Sequence, residues 1–153
     1  MLTRRDFVLG SGALAIAVSV PLRTEAAAAG GAERFVTAYL EVAPDGRVTL
    51  HSPTTEMGQG THTGHAVIIA DELGVDLDAV SVVTAEPADP FRRNGSMGSG
   101  GSWGVRYWYQ PLRKASAQAR EALIGAAAAQ WGVPAGECVL ERGEVVHSAS
   151  KRR

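Results

Sequence analysis

Arg47-Val48-Thr49-Leu50-His51-Ser52, Pro53-Thr54-Thr55, Glu56-Met57-Gly58-Gln59-Gly60 and Thr61-His62-Thr63-Gly64-His65-Ala66-Val67-Ile68-Ile69-Ala70-Asp71-Glu72-Leu73-Gly74 follow one another without a break. Apolar and polar residues alternate from Arg47 to Ser52, the period of a strand buried on one face. From Thr61 the period changes: Ala66, Ile69, Ala70 and Leu73 fall on one face of a helix. Gly74 supplies the left-handed residue expected just past its end. A strand that enters a helix through a glycine-rich bend at Glu56–Gly60 is the seed of an α/β fold.

Upstream, Phe35–Val42 alternates as one strand, and the turn Ala43-Pro44-Asp45-Gly46 folds it onto Arg47–Ser52 as a β-hairpin. Downstream, Leu77 and Val80 introduce a strand over Val80–Ala85 that Pro87 stops. The stretch Asp89–Gly101, with Pro90, Arg92, Arg93, Asn94 and repeated glycines, reads as a loop. A long helix is expected from Trp103 to Trp131, its stripe formed by Val105, Trp108, Leu112, Ala115, Ala119, Leu123 and Ala126. Pro111 should kink it or delay its regular start, and Gly132-Val133-Pro134 ends it. Cys138–Leu140 and Glu144–His147, around Arg142-Gly143, read as a last hairpin. The order β-β-α-β-α-β-β predicts an α/β domain of two layers, with β-hairpins and a small mixed sheet packed on two helices. The expected limits of this domain are 33–153. The abrupt end at Lys151-Arg152-Arg153 reads as a truncated chain.

Composition narrows the function. The 153 residues suffice for one small domain, and 45% hydrophobic with 20% charged residues describes a chain that folds. Fifteen basic and 16 acidic residues leave a formal net charge of -1, without the basic surplus that a general nucleic-acid binder needs. The 18 glycines have no fixed period, which excludes a collagen-like chain. With Cys138 as its single cysteine, the chain has no internal disulfide framework and cannot build a multi-cysteine metal or iron–sulfur site.

Residues 1–29 read as an address. Arg4-Arg5, followed by Phe7-Val8-Leu9 and an apolar run to Leu22, is the twin-arginine export pattern, with small residues at Ala26–Ala29 for cleavage. The run is too short and too rich in Gly, Ser and Ala for a bilayer span, which takes roughly 20 apolar residues. The expectation is a periplasmic protein, exported folded and carrying a cofactor.

Two glycine-rich segments each open a helix: Glu56–Thr61 and Gly98-Ser99-Gly100-Gly101-Ser102. Exposed amides at a helix N-terminus favour an anion, and glycines let the backbone approach it. Gln59, between two glycines, offers donors and an acceptor on one amide. Neither segment is a Walker A or a G-x-G-x-x-G fingerprint. Each alone could equally be a plain turn; the pair favours a phosphate-bearing ligand. His62 and His65 have the spacing of a metal pair, but no Asp, Glu or Cys matches them on that turn, so they read as solvent-facing or capping. Trp103, Trp108 and Trp131 read as core or interface anchors. Arg92-Arg93 reads as a solvated pair that could also face a partner or an anion.

Glu56-Met57-Gly58-Gln59-Gly60-Thr61-His62-Thr63, Ala70-Asp71-Glu72-Leu73, Gly100-Gly101-Ser102 and Pro111-Leu112-Arg113-Lys114-Ala115 resemble the molybdopterin-binding subunit of the xanthine dehydrogenase/aldehyde oxidase family. The resemblance is to the exported branch typified by the isoquinoline 1-oxidoreductase beta subunit, and it spans nearly the whole chain. It implies one lobe of a molybdenum-cofactor-binding domain. It further implies that Met57, Gly58, Gln59 and Gly60 contact the pyranopterin, with Gln59 hydrogen-bonded to it. Ser99, Gly100, Gly101 and Ser102 would hold the phosphate side. The implied cofactor is molybdopterin in its cytosine dinucleotide form. The implied partners are the remaining molybdenum-binding domains or a second polypeptide, a small [2Fe-2S] subunit and a cytochrome c electron acceptor.

This sequence departs from the family pattern at two places and lacks two of its motifs. Trp103-Gly104 stands where Thr-Ser is usual, so one hydroxyl for the phosphate is missing, and Ser99 replaces a common Thr. Neither the Gly-Gly-x-Phe motif nor the Gly-Val-Gly-Glu motif, whose glutamate is the family's base, occurs in the chain. No catalytic residue and no metal ligand is therefore assigned to it. The expectation is an N-terminal part of a molybdenum hydroxylase that is inactive alone. The alternative is an exported binding module or remnant without activity.

Overall fold

The computed structural model describes residues 35–153 apart from Ala38 and Pro44; the expected export segment, 1–29, lies outside the described residues. Four strands form a mixed sheet in the order β1-β2-β3-β4. β1 (Phe35–Val36) runs antiparallel to β2 (Leu40–Val42), and β2 antiparallel to β3 (Val48–Ser52), with Leu40 opposite Leu50. The chain then crosses over through α1 (Thr61–Leu73) and returns as β4 (Val80–Thr84), parallel to β3 with Leu50 opposite Val82. A parallel neighbour requires such a crossover, and the helix supplies it. α2 (Gly104–Trp131) packs along α1. β5 (Cys138–Glu141) and β6 (Glu144–His147) close the chain as a separate hairpin.

The α/β layering is as the periodicity predicts, and so is the burial of Ala66, Ile69, Ala70 and Leu73. Ile69 and Leu73, with Ile68, meet Leu40, Val48 and Leu50 from the sheet and Trp108, Leu112, Ala115 and Ala119 from α2 in one core. Gly74 ends α1 at φ 59°, and Val75 N–H returns to the Ala70 carbonyl at 3.0 Å.

Three local expectations are corrected. The single strand over Phe35–Val42 is two strands, because the Thr37 hydroxyl oxygen accepts the Tyr39 and Leu40 N–H groups at 3.2 and 3.0 Å and reverses the chain. Pro111 does not delay the regular start of α2, which is helical from Gly104 on. The proline deprives only the Tyr107 carbonyl of a helical donor, and Tyr107 is exposed enough for water to replace it. The buried stripe of α2 also changes phase. Trp108, Leu112, Ala115 and Ala119 are buried as predicted, but beyond them Ile124, Ala127 and Ala128 replace Leu123 and Ala126, and Val105 is exposed. The partner changes there: Ile124 and Ala128 pack with Cys138, Trp131, Leu140 and Val145 of the terminal hairpin side.

A further contact between the helices is polar. The Glu72 carboxylate, 8% exposed, accepts from Arg113 Nε and Arg120 NH1, each at 2.9 Å. The Arg113 guanidinium is held more firmly protonated by that carboxylate.

Candidate functional site

The first turns of α1 and α2 touch. A Cβ on Gly104 would lie 3.0 Å from Thr61 Cγ2, and one on Gly64 would lie 2.9 Å from Val105 Cγ2. This approach brings the segments ahead of the two helices side by side. Thr55 N–H donates to Ser99 Oγ at 3.0 Å, and the two side-chain oxygens are 3.1 Å apart. The two glycine-rich loops thus form one continuous surface. Cβ atoms on Gly58, Gly60, Gly98 and Gly100 would meet nothing within 4 Å, so the backbone there faces open space.

Within and just past the first loop the Gly58, Gly60 and His62 amides are already used. Glu56 Oε1 accepts from Gly58 and Gly60 N–H at 2.7 and 3.0 Å, and Oε2 accepts from His62 N–H at 3.0 Å. The start of α1 therefore already carries an anion, this chain's own carboxylate. Those three amides, led by His62, hold the Glu56 pKa down at about 2. Gly58 and Gly60, at φ 90° and 77°, give the backbone the left-handed turns that point the amides inward. Gln59 is fixed rather than free: its Oε1 accepts Met57 N–H at 2.6 Å and its Nε2 donates to the Thr55 carbonyl at 2.7 Å. One hydrogen and one lone-pair direction remain on that amide for a ligand. Met57, 72% exposed, projects beside it.

The second loop is anchored differently. Tyr39 packs edge-on against Phe91 at 5.6 Å and donates its hydroxyl to the Pro90 carbonyl at 2.9 Å. Arg93 and Ser96 then pair across Asn94-Gly95, both at positive φ, a two-residue hairpin inside the stretch expected to be irregular. Arg93 is not a solvated loop residue. Its guanidinium stacks 3.9 Å from the Trp103 ring centroid, and Arg106 stacks at 3.8 Å. Trp103 is thus a half-exposed platform for two cations rather than a core anchor, whereas Trp108 is core. Gly101 and Ser102, at φ 57° and 55°, turn the chain into α2.

The expected histidine roles divide. His62 Nε2 contacts the Thr54 carbonyl at 2.8 Å beside the first loop. His65 is neither solvent-facing nor a cap: it is fully buried, 3.1 Å from Ser52 Oγ and 3.0 Å from the Gly104 carbonyl. Its place on the stripe His65-Ile69-Leu73 is the signal that predicts burial. Glu56 was also missed; an acidic residue just ahead of a glycine-opened helix is the feature that marks it.

Comparison with known proteins settles the family. The molybdopterin cofactor-binding domain model matches residues 9–153. The chain belongs to the molybdopterin cofactor-binding domain family. It is 33% identical over 168 aligned positions to isoquinoline 1-oxidoreductase subunit beta of Brevundimonas diminuta, covering 99% of this chain and 21% of that protein. It is also 33% identical to the aldehyde oxidoreductase molybdenum-binding subunit of Escherichia coli O157:H7, over 58% of this chain and 12% of that one. Quinoline 2-oxidoreductase from Pseudomonas putida 86 shares the fold, with a TM-score of 0.59 at 24% identity, over 73% of this chain and 14% of that chain. The molybdopterin-domain chain thus spans about a fifth of its isoquinoline relative's length. Among the described residues, its two helices and small sheets have the α/β architecture of a molybdopterin cofactor-binding domain.

The departure at Trp103-Gly104 now has a structural reason in this family member. Gly104 gives the close approach to Thr61, and its carbonyl receives the bond from His65. Trp103 collects the two arginines at the mouth of the second loop.

The Glu56 arrangement has a measurable acid signature. The folded pKa, about 2, lies below the ordinary 4.5, so the stabilisation is complete above pH 4.5 and is lost as pH falls through 2. Glu56→Gln should lower the melting temperature at pH 7 and flatten its fall between those two values. Melting curves of both proteins across that window, showing identical acid limbs, would remove Glu56 as the helix anion.

Proposed function

We propose that this molybdopterin-binding chain forms part of the large subunit of an exported molybdenum hydroxylase acting on aldehydes or N-heterocycles. The observation that carries the reading is the joined pair of glycine loops, bonded at Thr55 and Ser99, within a chain that the family matches over residues 9–153. The relatives named for isoquinoline and aldehyde substrates support the substrate classes. Arg4-Arg5 ahead of the apolar run to Leu22 supports twin-arginine export to the periplasm.

The residues fit the cofactor with a division of labour. Glu56 already holds the Gly58, Gly60 and His62 amides, which favours a neutral hydrogen-bonding ring over a phosphate at the first loop. Gln59 would meet the pterin with its spare donor and acceptor, Met57 would cover it, and Gly58 and Gly60 leave the approach open. Ser99, Gly100, Gly101 and Ser102 would take the phosphate side, close to Arg93 and Arg106 on Trp103. We take the cytosine dinucleotide as the form bound. When bound, the molybdenum cofactor supplies oxygen-atom transfer and accepts two electrons. The chain's own residues orient it and provide no base, since the Gly-Val-Gly-Glu motif is absent from the sequence. The glutamate then comes from further molybdenum-binding domains or a second polypeptide, with a small [2Fe-2S] subunit and a cytochrome c carrying electrons away.

The test is expression in a cofactor-producing host, with and without a large-subunit polypeptide that carries the glutamate motif. Bound pterin, hydroxylase turnover and periplasmic location are measured. The chain alone should show no turnover, and the assembled form should retain molybdopterin. Gln59→Ala should weaken retention about tenfold, the worth of one ligand hydrogen bond plus a loosened loop. Turnover by the lone chain would overturn the division of labour. Retention that ignores Gln59→Ala would place the cofactor elsewhere, and a cytoplasmic protein would overturn the export reading.

A further inference from the structure

Beneath the two loops sits a histidine bonded to the end of the strand before the first loop and to the start of the helix after the second. His65 is 0% exposed in α1, on a stripe where an apolar side chain would satisfy packing. Its Nε2 lies 3.0 Å from the Gly104 carbonyl, which only accepts, so Nε2 carries the hydrogen. Its Nδ1 lies 3.1 Å from Ser52 Oγ, whose single proton is within reach of both that nitrogen and the Thr54 carbonyl. Ser52 Oγ also accepts Thr54 N–H at 3.3 Å. Thr54 stands two residues ahead of Glu56 in the first loop, and Gly104 two residues past Ser102 of the second.

The link at the surface is weak by comparison. Thr55 and Ser99 meet in an exposed position, where water competes for every donor and acceptor. The Ser52–His65–Gly104 chain is shielded from water on its Ser52 side, and each end lies within a few residues of a different loop. We propose that His65 is a positioning residue that fixes the two loops of the cofactor site against each other, an inference that rests on the reading of these loops as the molybdopterin site. Burial holds the imidazole pKa below its usual range, which keeps the ring neutral and the Nε2–H bond to Gly104 in place.

The experiment is amide hydrogen exchange on the full chain without cofactor, comparing wild type, His65→Leu and His65→Gln. Both replacements fill most of the ring's volume, but only glutamine can donate to the Gly104 carbonyl. His65→Leu should speed exchange about tenfold over residues 54–60 and 98–104, with smaller changes in the interiors of α1 and α2. His65→Gln should restore the 98–104 segment. Exchange that rises evenly along the chain, stays unchanged at the loops, or is no better with Gln than with Leu would overturn the proposal. If His65→Leu does not fold, Ser52→Ala cuts the first-loop side alone and should loosen 54–60. Nitrogen NMR of the wild-type ring gives an independent reading: an Nε2–H tautomer is required, and an Nδ1–H tautomer overturns the proposal. Because exchange is read without cofactor, loops coupled through His65 in a chain that binds no molybdopterin would count against the functional reading and leave this one standing.

Discussion

Gly104→Val should destabilise the chain by about 2 kcal/mol, and the second loop should loosen with it. Valine is a better helix former than glycine by at most about 0.5 kcal/mol, which favours the variant slightly. Against that stands the contact at the helix crossing, where a Cβ would sit 3.0 Å from Thr61 Cγ2 and 3.2 Å from Thr61 Oγ1. Valine adds two further methyl groups to this gap, so α1 and α2 must separate at their first turns. Overpacking of this kind costs about 1–3 kcal/mol and outweighs the propensity gain. Thr61→Ser removes the nearest methyl and should recover part of the loss in the double variant. Urea midpoints of the two single variants and the double measure it; strictly additive effects would show that the helices do not meet there.

Glu72→Ala should cost about 2–3 kcal/mol. The carboxylate is buried between α1 and α2 and is shared by Arg113 and Arg120, which are 45% and 35% exposed. Truncation leaves two cations without their anion, but both can turn to water, so the cost stays at the low end for a broken buried pair. Removing either arginine should cost less than 1 kcal/mol, because the other still satisfies Glu72. Urea unfolding of the three variants tests this ordering, and a Glu72→Ala loss no larger than an arginine loss would make the triad a surface feature.

Local periodicity made most of the fold legible. The alternation of Arg47–Ser52, the stripe through Ala66, Ile69 and Leu73, and Gly74 at its end all follow from neighbours within a few residues. The reversal at Thr37 did not, because a side-chain oxygen bends the chain while the apolar–polar alternation runs on through the bend. The stripe of α2 was legible as far as Ala119, where one partner sets it, and not beyond, where the terminal hairpin becomes the partner. At the site, the loops could be found from their glycines, whereas their contact could not. Thr55 and Ser99 are 44 residues apart, and neither residue carries a mark of the other. Glu56 and His65 lay in plain view, one filling amides read as open to a ligand and the other joining the end of β3 to the start of α2.

The separation of Thr55 from Ser99 also orders events as the chain folds. Closing a span of 44 residues costs about 3 kcal/mol in chain entropy, more than exposed hydroxyl bonds of about 1 kcal/mol each can offset. The loops therefore come together only after Leu73, Trp108 and Leu112 have joined the helices to the sheet. The surface shared by the two loops thus depends on the core beneath it and not on its own exposed bonds. A ligand that needs both loops cannot template this chain early; it must wait for a finished fold.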